Sequence, residues 1–318
     1  MTSLVFMFPG QTSRYPEMIE KLIADSPLCA KIVATASEIL GRDLAAHYDS
    51  ANGHMFARNR DVQIAVFLAN HLHMKILEEA GIKAEWSLGL SLGEYNHLVH
   101  IGAMSFEDAL PLIEQRGQIY EQGPDGLMVS VFPIEADIVE DKIKQLGLGG
   151  HVVIGLYNSP RQQVLSGERA AVTQLIAGLE QDNLIEAVET EPHIPMHAPA
   201  FAPVAKKLRA ILERSNIVPP NLAYVPNVLG SIIPNAEPQD IRTHLCLHVH
   251  QAVRWQASVD ALASRLPDPH FVEVGPRAVL YNMFGRGWMP GRRAKTDVSE
   301  NWPDHIKGLI SELRHGAR

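Results

Sequence analysis

Only two cysteines occur in the 318 residues, Cys29 and Cys246. They lie far apart and without metal-ligand spacing, so they read as reduced residues of a cytoplasmic protein rather than a disulfide framework. No uninterrupted apolar run is long enough to span a membrane. The first ten residues, MTSLVFMFPG, lack a basic leader and read as a buried strand rather than a secretion signal. Basic residues are in deficit: 28 Lys and Arg against 36 Asp and Glu leave a formal charge of −8. That balance argues against nucleic acid as a main partner. Low-complexity segments and obvious repeats are also missing. What remains is 46% hydrophobic and 20% charged, enough for a packed soluble core in two domains or in one domain with an insertion.

The richest stretch is Ala84 to Ile101, with Gly89-Leu90-Ser91-Leu92-Gly93 at its centre. A Gly-x-Ser-x-Gly of this kind stops a strand and starts a helix. The glycines permit the sharp turn and the close strand–helix packing, and the serine hydroxyl is held exposed on the bend. The following helix points its positive N-terminal end at that hydroxyl, so the Leu92 amide faces whatever Ser91 attacks.

Around this turn the pattern is that of an α/β sheet. Leu4 to Phe8 is an apolar run ended by Pro9-Gly10, as in a central parallel strand. Asp61 to Ala80 predicts a long, deeply buried helix closed by Gly81, and Phe106 to Gln122 predicts another. From Leu127 the order changes to β-α-β-β-α-β, ending near Thr190, which predicts a small ferredoxin-like unit. The expected organisation is therefore a large α/β-hydrolase-like subdomain with a parallel sheet, residues 1–126 and 192–318. A ferredoxin-like subdomain, residues 127–191, is inserted in it. Within the returning segment, Leu222 to Asn227 predicts a strand, Trp255 to Leu266 a helix, Phe271 to Val274 a strand, and Pro303 to His315 an amphipathic helix.

Four segments agree in type and order with one family: Phe8-Pro9-Gly10-Gln11, Gly89 to Tyr95 (GLSLGEY), Arg116-Gly117-Gln118, and Pro195-Met196-His197. The chain resembles the malonyl-CoA:acyl-carrier-protein transacylases and the acyltransferase domains of polyketide synthases. Asn158-Ser159-Pro160, Val253-Arg254-Trp255 and Glu273-Val274-Gly275-Pro276 extend the resemblance to about Leu280.

The resemblance implies that Ser91 attacks an acyl thioester while His197 takes its proton and later returns one to the leaving thiol. It implies an oxyanion hole from the amides of Gln11 and Leu92. It also implies a backbone carbonyl at His248 that orients the base, and Arg116 as the holder of a malonyl carboxylate. Asn158 is expected at the substrate. Several positions depart from the family pattern. Tyr120 replaces a methionine, Met196 a Phe or Ser, Leu90 a histidine, and His248 a glutamine; Arg14 follows the first loop. Tyr120, Met196 and Leu90 are expected to line the acyl pocket.

The expected partners are an acyl carrier protein and an acyl-CoA such as malonyl-CoA, with neither nucleic acid nor membrane. No cofactor or metal is expected beyond the thioester substrate, and a monomer is expected. The basic run Arg286, Arg292, Arg293, Lys295 offers itself to an acidic carrier protein or to coenzyme A phosphates. A carrier-to-carrier transferase for a larger acyl group, an editing hydrolase and a carrier-binding scaffold are the competing readings. The intact pair Ser91 and His197 argues against the scaffold.

Overall fold

The computed structural model describes residues 2–285 and 287–316. Eight strands are found among them. β1 (Ser3–Phe8) and β2 (Trp86–Gly89) come first. β3 (Leu127–Phe132), β4 (Val152–Ser159), β5 (Gln162–Gly167) and β6 (Glu186–Glu191) follow. β7 (Pro269–Glu273) and β8 (Arg292–Lys295) close the series.

The strands form two separate sheets. One has the order β2-β1-β7-β8 and is parallel throughout. Its central strand β1 carries Val5, Phe6, Met7 and Phe8, all without exposure. A strand buried on both faces reads as a continuous apolar run, which is why this segment was legible. The second sheet has the order β4-β5-β3-β6 and is antiparallel. With the helices Ala136–Gln145 and Arg169–Asp182 it forms the ferredoxin-like unit, which has an apolar core of its own around Val131, Leu165 and Leu175. The large α/β-hydrolase-like part owns the other core.

The helix Asn59–Glu79 runs through that larger core, with residues 61–74 buried on every face. Its Asn70 donates to the Pro9 carbonyl and to Asn96 Oδ1, and Asn96 donates back to the Phe67 carbonyl. This polar bridge locks the loop after β1 and the helix Gly93–His100 to one rigid support. Gly81 closes the long helix with φ 78°, the left-handed cap expected there.

Buried histidines make this core sensitive to acid. Burial lowers His71 and His97 to about 3, and His73 and His100 to about 4, from an ordinary 6.5. The unfolded chain therefore binds protons that the fold refuses, and stability falls as the pH drops from 6.5 toward 3. Glu94 and Glu273, raised by burial to about 8 and about 7, act oppositely between pH 8 and 4.5. They are outnumbered below 6.5. Urea midpoints should be clearly lower at pH 4.5 than at pH 7; an equal midpoint would refute this linkage.

Two expectations need correction, and one element is added. Leu222 to Asn227 is not a strand but an extended segment with one isolated bridge, Tyr224 to Ile233. Among the described residues no strand lies beside it, and a side chain meets its backbone instead: the Val225 amide donates to His97 Nε2. The basic run, expected to offer itself to a partner, is largely strand: Arg292, Arg293 and Lys295 lie in β8, parallel to β7. A helix at Pro238–His248, opened by a reciprocal Glu237–Asp240 capping box, was not foreseen. No helix among the described residues is long and apolar enough to cross a membrane.

Candidate active site

The carboxyl ends of β1 and β2 lie side by side, and both loops turn into one crevice, where open α/β sheets hold their ligands. At the end of β2 the chain passes Gly89 and Leu90 and reaches Ser91 at φ 51°. A Cβ on Gly89 would lie 2.0 Å from the Gly93 carbonyl oxygen, and one on Gly93 would lie 2.1 Å from the Phe8 carbonyl oxygen. Both glycines are therefore required by close backbone approach. Gly93→Ala is expected to destabilise the chain by about 3 kcal/mol, as overpacking against backbone does. A shift in the urea midpoint would measure it.

Asn227 braces the turn from a distant segment. Its Oδ1 accepts from the Ser91 amide at 2.8 Å, and its Nδ2 donates to the Gly89 carbonyl at 2.7 Å. Sequence reasoning missed this residue, because the segment was read as a strand and its last side chain as unremarkable.

Opposite the turn stands His197, also left-handed at φ 61°. Its Nε2 lies 2.9 Å from Ser91 Oγ. Its Nδ1 lies 2.7 Å from the His248 carbonyl oxygen, which can only accept. Nδ1 therefore carries the proton, and Nε2 offers its lone pair to the serine hydroxyl. Burial lowers His197 to about 4, so the imidazole is neutral at pH 7 and its Nε2 lone pair is free. The loop holding it is tied down on both sides. The His197 amide donates to the Val249 carbonyl, and Ser166 Oγ donates to the Met196 carbonyl at 2.6 Å.

A cavity of about 300 Å³ opens between the two sheets at this pair. Gln11, Leu90, Ser91, Asn158, Met196 and His197 all line it. Gln11 is fixed by a 2.9 Å bond from its side chain to Glu191 Oε2. The Gln11 and Leu92 amides have no acceptor among the described residues. Asn158 Oδ1 is buried on the cavity wall without a partner. His197 also borders a second cavity of about 500 Å³, on the side of Tyr157 and Arg254.

Arg116 and Tyr120 stand elsewhere. Neither lines the cavity at Ser91, so Tyr120 is not the pocket wall it was expected to be. Its ring packs edge-on against Phe201 and under the Arg116 guanidinium, 4.1 Å from its centroid. Arg116 is 1% exposed, lies near the Tyr95 ring as well, and donates from Nη1 to Gln63 Oε1 at 2.5 Å. Its Nε and Nη2 have no partner among the described residues. Arg14 donates to the Gln11 carbonyl and borders a neighbouring cavity with Tyr120.

Most cations of the basic run are engaged. Arg293 donates to the carbonyls of Tyr281 and Phe284, Arg292 pairs with Asp268 at 2.9 Å, and Lys295 lies over the Tyr281 ring. They tie the chain together instead of presenting a free patch. Arg286 lies outside the described residues.

Residues 5–300 match the family model described as acyl transferase domain. The malonyl CoA-acyl carrier protein transacylase of Bacillus subtilis strain 168 is 26% identical over 319 residues, covering 99% of this chain and 98% of that one. The enzyme of the same name from Haemophilus influenzae is 29% identical over 293 residues, covering 90% and 92%. Among solved structures, FabD from Acinetobacter baumannii superposes with a TM-score of 0.89 at 26% identity, over 99% of both chains. A malonyl-transacylase in complex with a type II polyketide synthase acyl carrier protein, PlMCAT:AntF, gives 0.88 at 26% identity, covering 99% of this chain and 100% of that one.

Proposed function

We propose, from the premise that this chain belongs to the acyl transferase domain family, that it transfers a malonyl group from coenzyme A to an acyl carrier protein. The relatives' names and the carrier-protein complex support that substrate pair. The group would pass through an ester on Ser91, in fatty acid or polyketide synthesis. One observation carries the reading: Ser91 Oγ stands 2.9 Å from the lone-pair nitrogen of a buried imidazole whose other nitrogen is held by a carbonyl.

The steps follow from that geometry. His197 Nε2 takes the hydroxyl proton as Oγ attacks the thioester carbonyl. The oxyanion collects at the Gln11 and Leu92 amides, which are fixed in advance and need no reorganisation. Collapse expels the coenzyme A thiol, which receives the proton from His197. The carrier's phosphopantetheine thiol then attacks the ester, and the same imidazole works in reverse. Every group in this cycle comes from one chain or from the thioesters, so the reading is of a monomer that needs no cofactor. The two buried free cysteines fit a reducing cytoplasm.

Arg116 is assigned the malonyl carboxylate. A buried guanidinium with two idle donors is poorly compensated, and a carboxylate would take both at once. A second reading has its own support. The cavity wall beside Ser91 is largely apolar, with Met128, Phe132, Leu156 and Met283 among its residues, and Arg116 does not line it. Such a wall suits a larger acyl chain handed from one carrier to another. Intact-mass spectra after exposure to malonyl-CoA and to longer acyl donors decide between them. Rapid malonylation that a holo carrier protein discharges supports the first reading. Acylation by long-chain donors alone would overturn it.

A further inference from the structure

The cycle above uses only the carbonyl of His248, yet its imidazole is buried at the same spot, 1% exposed. The ring lies nearly flat against that of His197, with centroids 4.8 Å apart and planes at 18°. Its Nδ1 is 3.1 Å from Glu94 Oε2, within reach but not aligned, and its Nε2 has no partner. Glu94 belongs to the first turn of the helix Gly93–His100 and has no exposure. Its other oxygen accepts from the Tyr224 hydroxyl at 2.5 Å.

Four titratable or charged groups surround this contact: Glu94 from the helix after the nucleophile, His197 from the loop across the cleft, Arg116 from the helix Phe106–Tyr120, and Tyr224 behind Glu94. Burial holds His248 well below its ordinary value, with His197 and Arg116 pushing the same way. Burial also raises Glu94 to about 8. Burial thus disfavours charge on both partners, which favours a carboxylic acid facing an imidazole over an ion pair.

We propose that the His248 side chain is a positioning residue, braced between Glu94 and the His197 ring, which fixes the carbonyl that orients the base. The inference rests on the Ser91–His197 reading given above. The direction of a carbonyl follows its peptide plane. His248 ends the helix Pro238–His248, and a side chain held in place restrains the shared Cα and so the tilt of that last plane. An imidazole anchored on the nucleophile's own helix therefore sets nucleophile and base in one frame. Loss of the anchor leaves both reacting groups present but misaligned, and small misplacements are costly in rate.

The test is the rate at which malonyl-CoA acylates the full chain, followed by rapid quenching and intact mass between pH 5 and 9. His248→Ala should acylate about 10²-fold more slowly with donor KM unchanged, as loss of alignment predicts. His248→Gln, whose amide still reaches Glu94, should recover most of that loss. The native enzyme should show a step in rate near pH 8 as Glu94 ionises, and Glu94→Gln should lose that step. Acylation of His248→Ala at the native rate overturns the proposal. So does an equal loss in His248→Ala and His248→Gln, which would mark a simple packing role. Should His248→Ala fail to fold, the pH step decides alone: its presence in the native enzyme and its loss in Glu94→Gln support the proposal, and no step, or a step kept in Glu94→Gln, overturns it. The Ser91–His197 reading fails separately, through acylation of a chain that lacks the Ser91 hydroxyl.

Discussion

Ser91→Ala will fold and will never gain the mass of an acyl group. The backbone at this position is already held at φ 51° by the Asn227 brace and by the close approach of Gly89 and Gly93, and none of these contacts involves the hydroxyl. Stability should therefore change little, while transfer should fall on the order of 10⁴- to 10⁶-fold, as when a nucleophile is removed from a coupled pair. Intact mass after mixing with malonyl-CoA reads the first effect, and loading of a carrier protein reads the second. An alanine variant that still acquires the label would mean the acyl group rests on another atom.

Arg116→Ala should separate substrates by charge. Loss of a bidentate partner to a carboxylate is worth about 10²-fold in malonyl transfer, the scale of hydrogen bonds to charged groups. Neutral acyl donors should be affected much less. Arg116→Lys should behave nearly as poorly, because an ammonium cannot present the fork. A second readout comes from the base. The Arg116 charge helps to hold His197 low, so removing it should move the acid limb of the rate profile upward in pH. Equal losses for malonyl and neutral donors would end the carboxylate assignment.

The central strand, the serine turn and the ferredoxin-like order were readable because each has a local cause: a strand buried on both faces, glycines forced by backbone contact, and alternating apolar runs broken by turns. The meeting of Ser91 with His197 was readable only through the resemblance, since the two lie 106 residues apart. Asn227 was hidden because its role depends on which backbone atoms come within reach of an ordinary amide. β8 was hidden because four residues, three of them cationic, carry no strand period; pairing with β7 imposes it. Tyr120 was misplaced because a pattern names a position in the chain and not the face it turns to. There the guanidinium, not the cavity, claimed the ring.

The brace supplied by Asn227 also has a meaning in time. A ribosome releases the nucleophile long before the amide that shapes its turn, 136 residues later, and before β7 flanks the first strand. An unfinished polypeptide thus has the Ser91 hydroxyl without the turn that holds it beside His197. The two side chains can meet in their final arrangement only once synthesis has passed the point where the far end folds back.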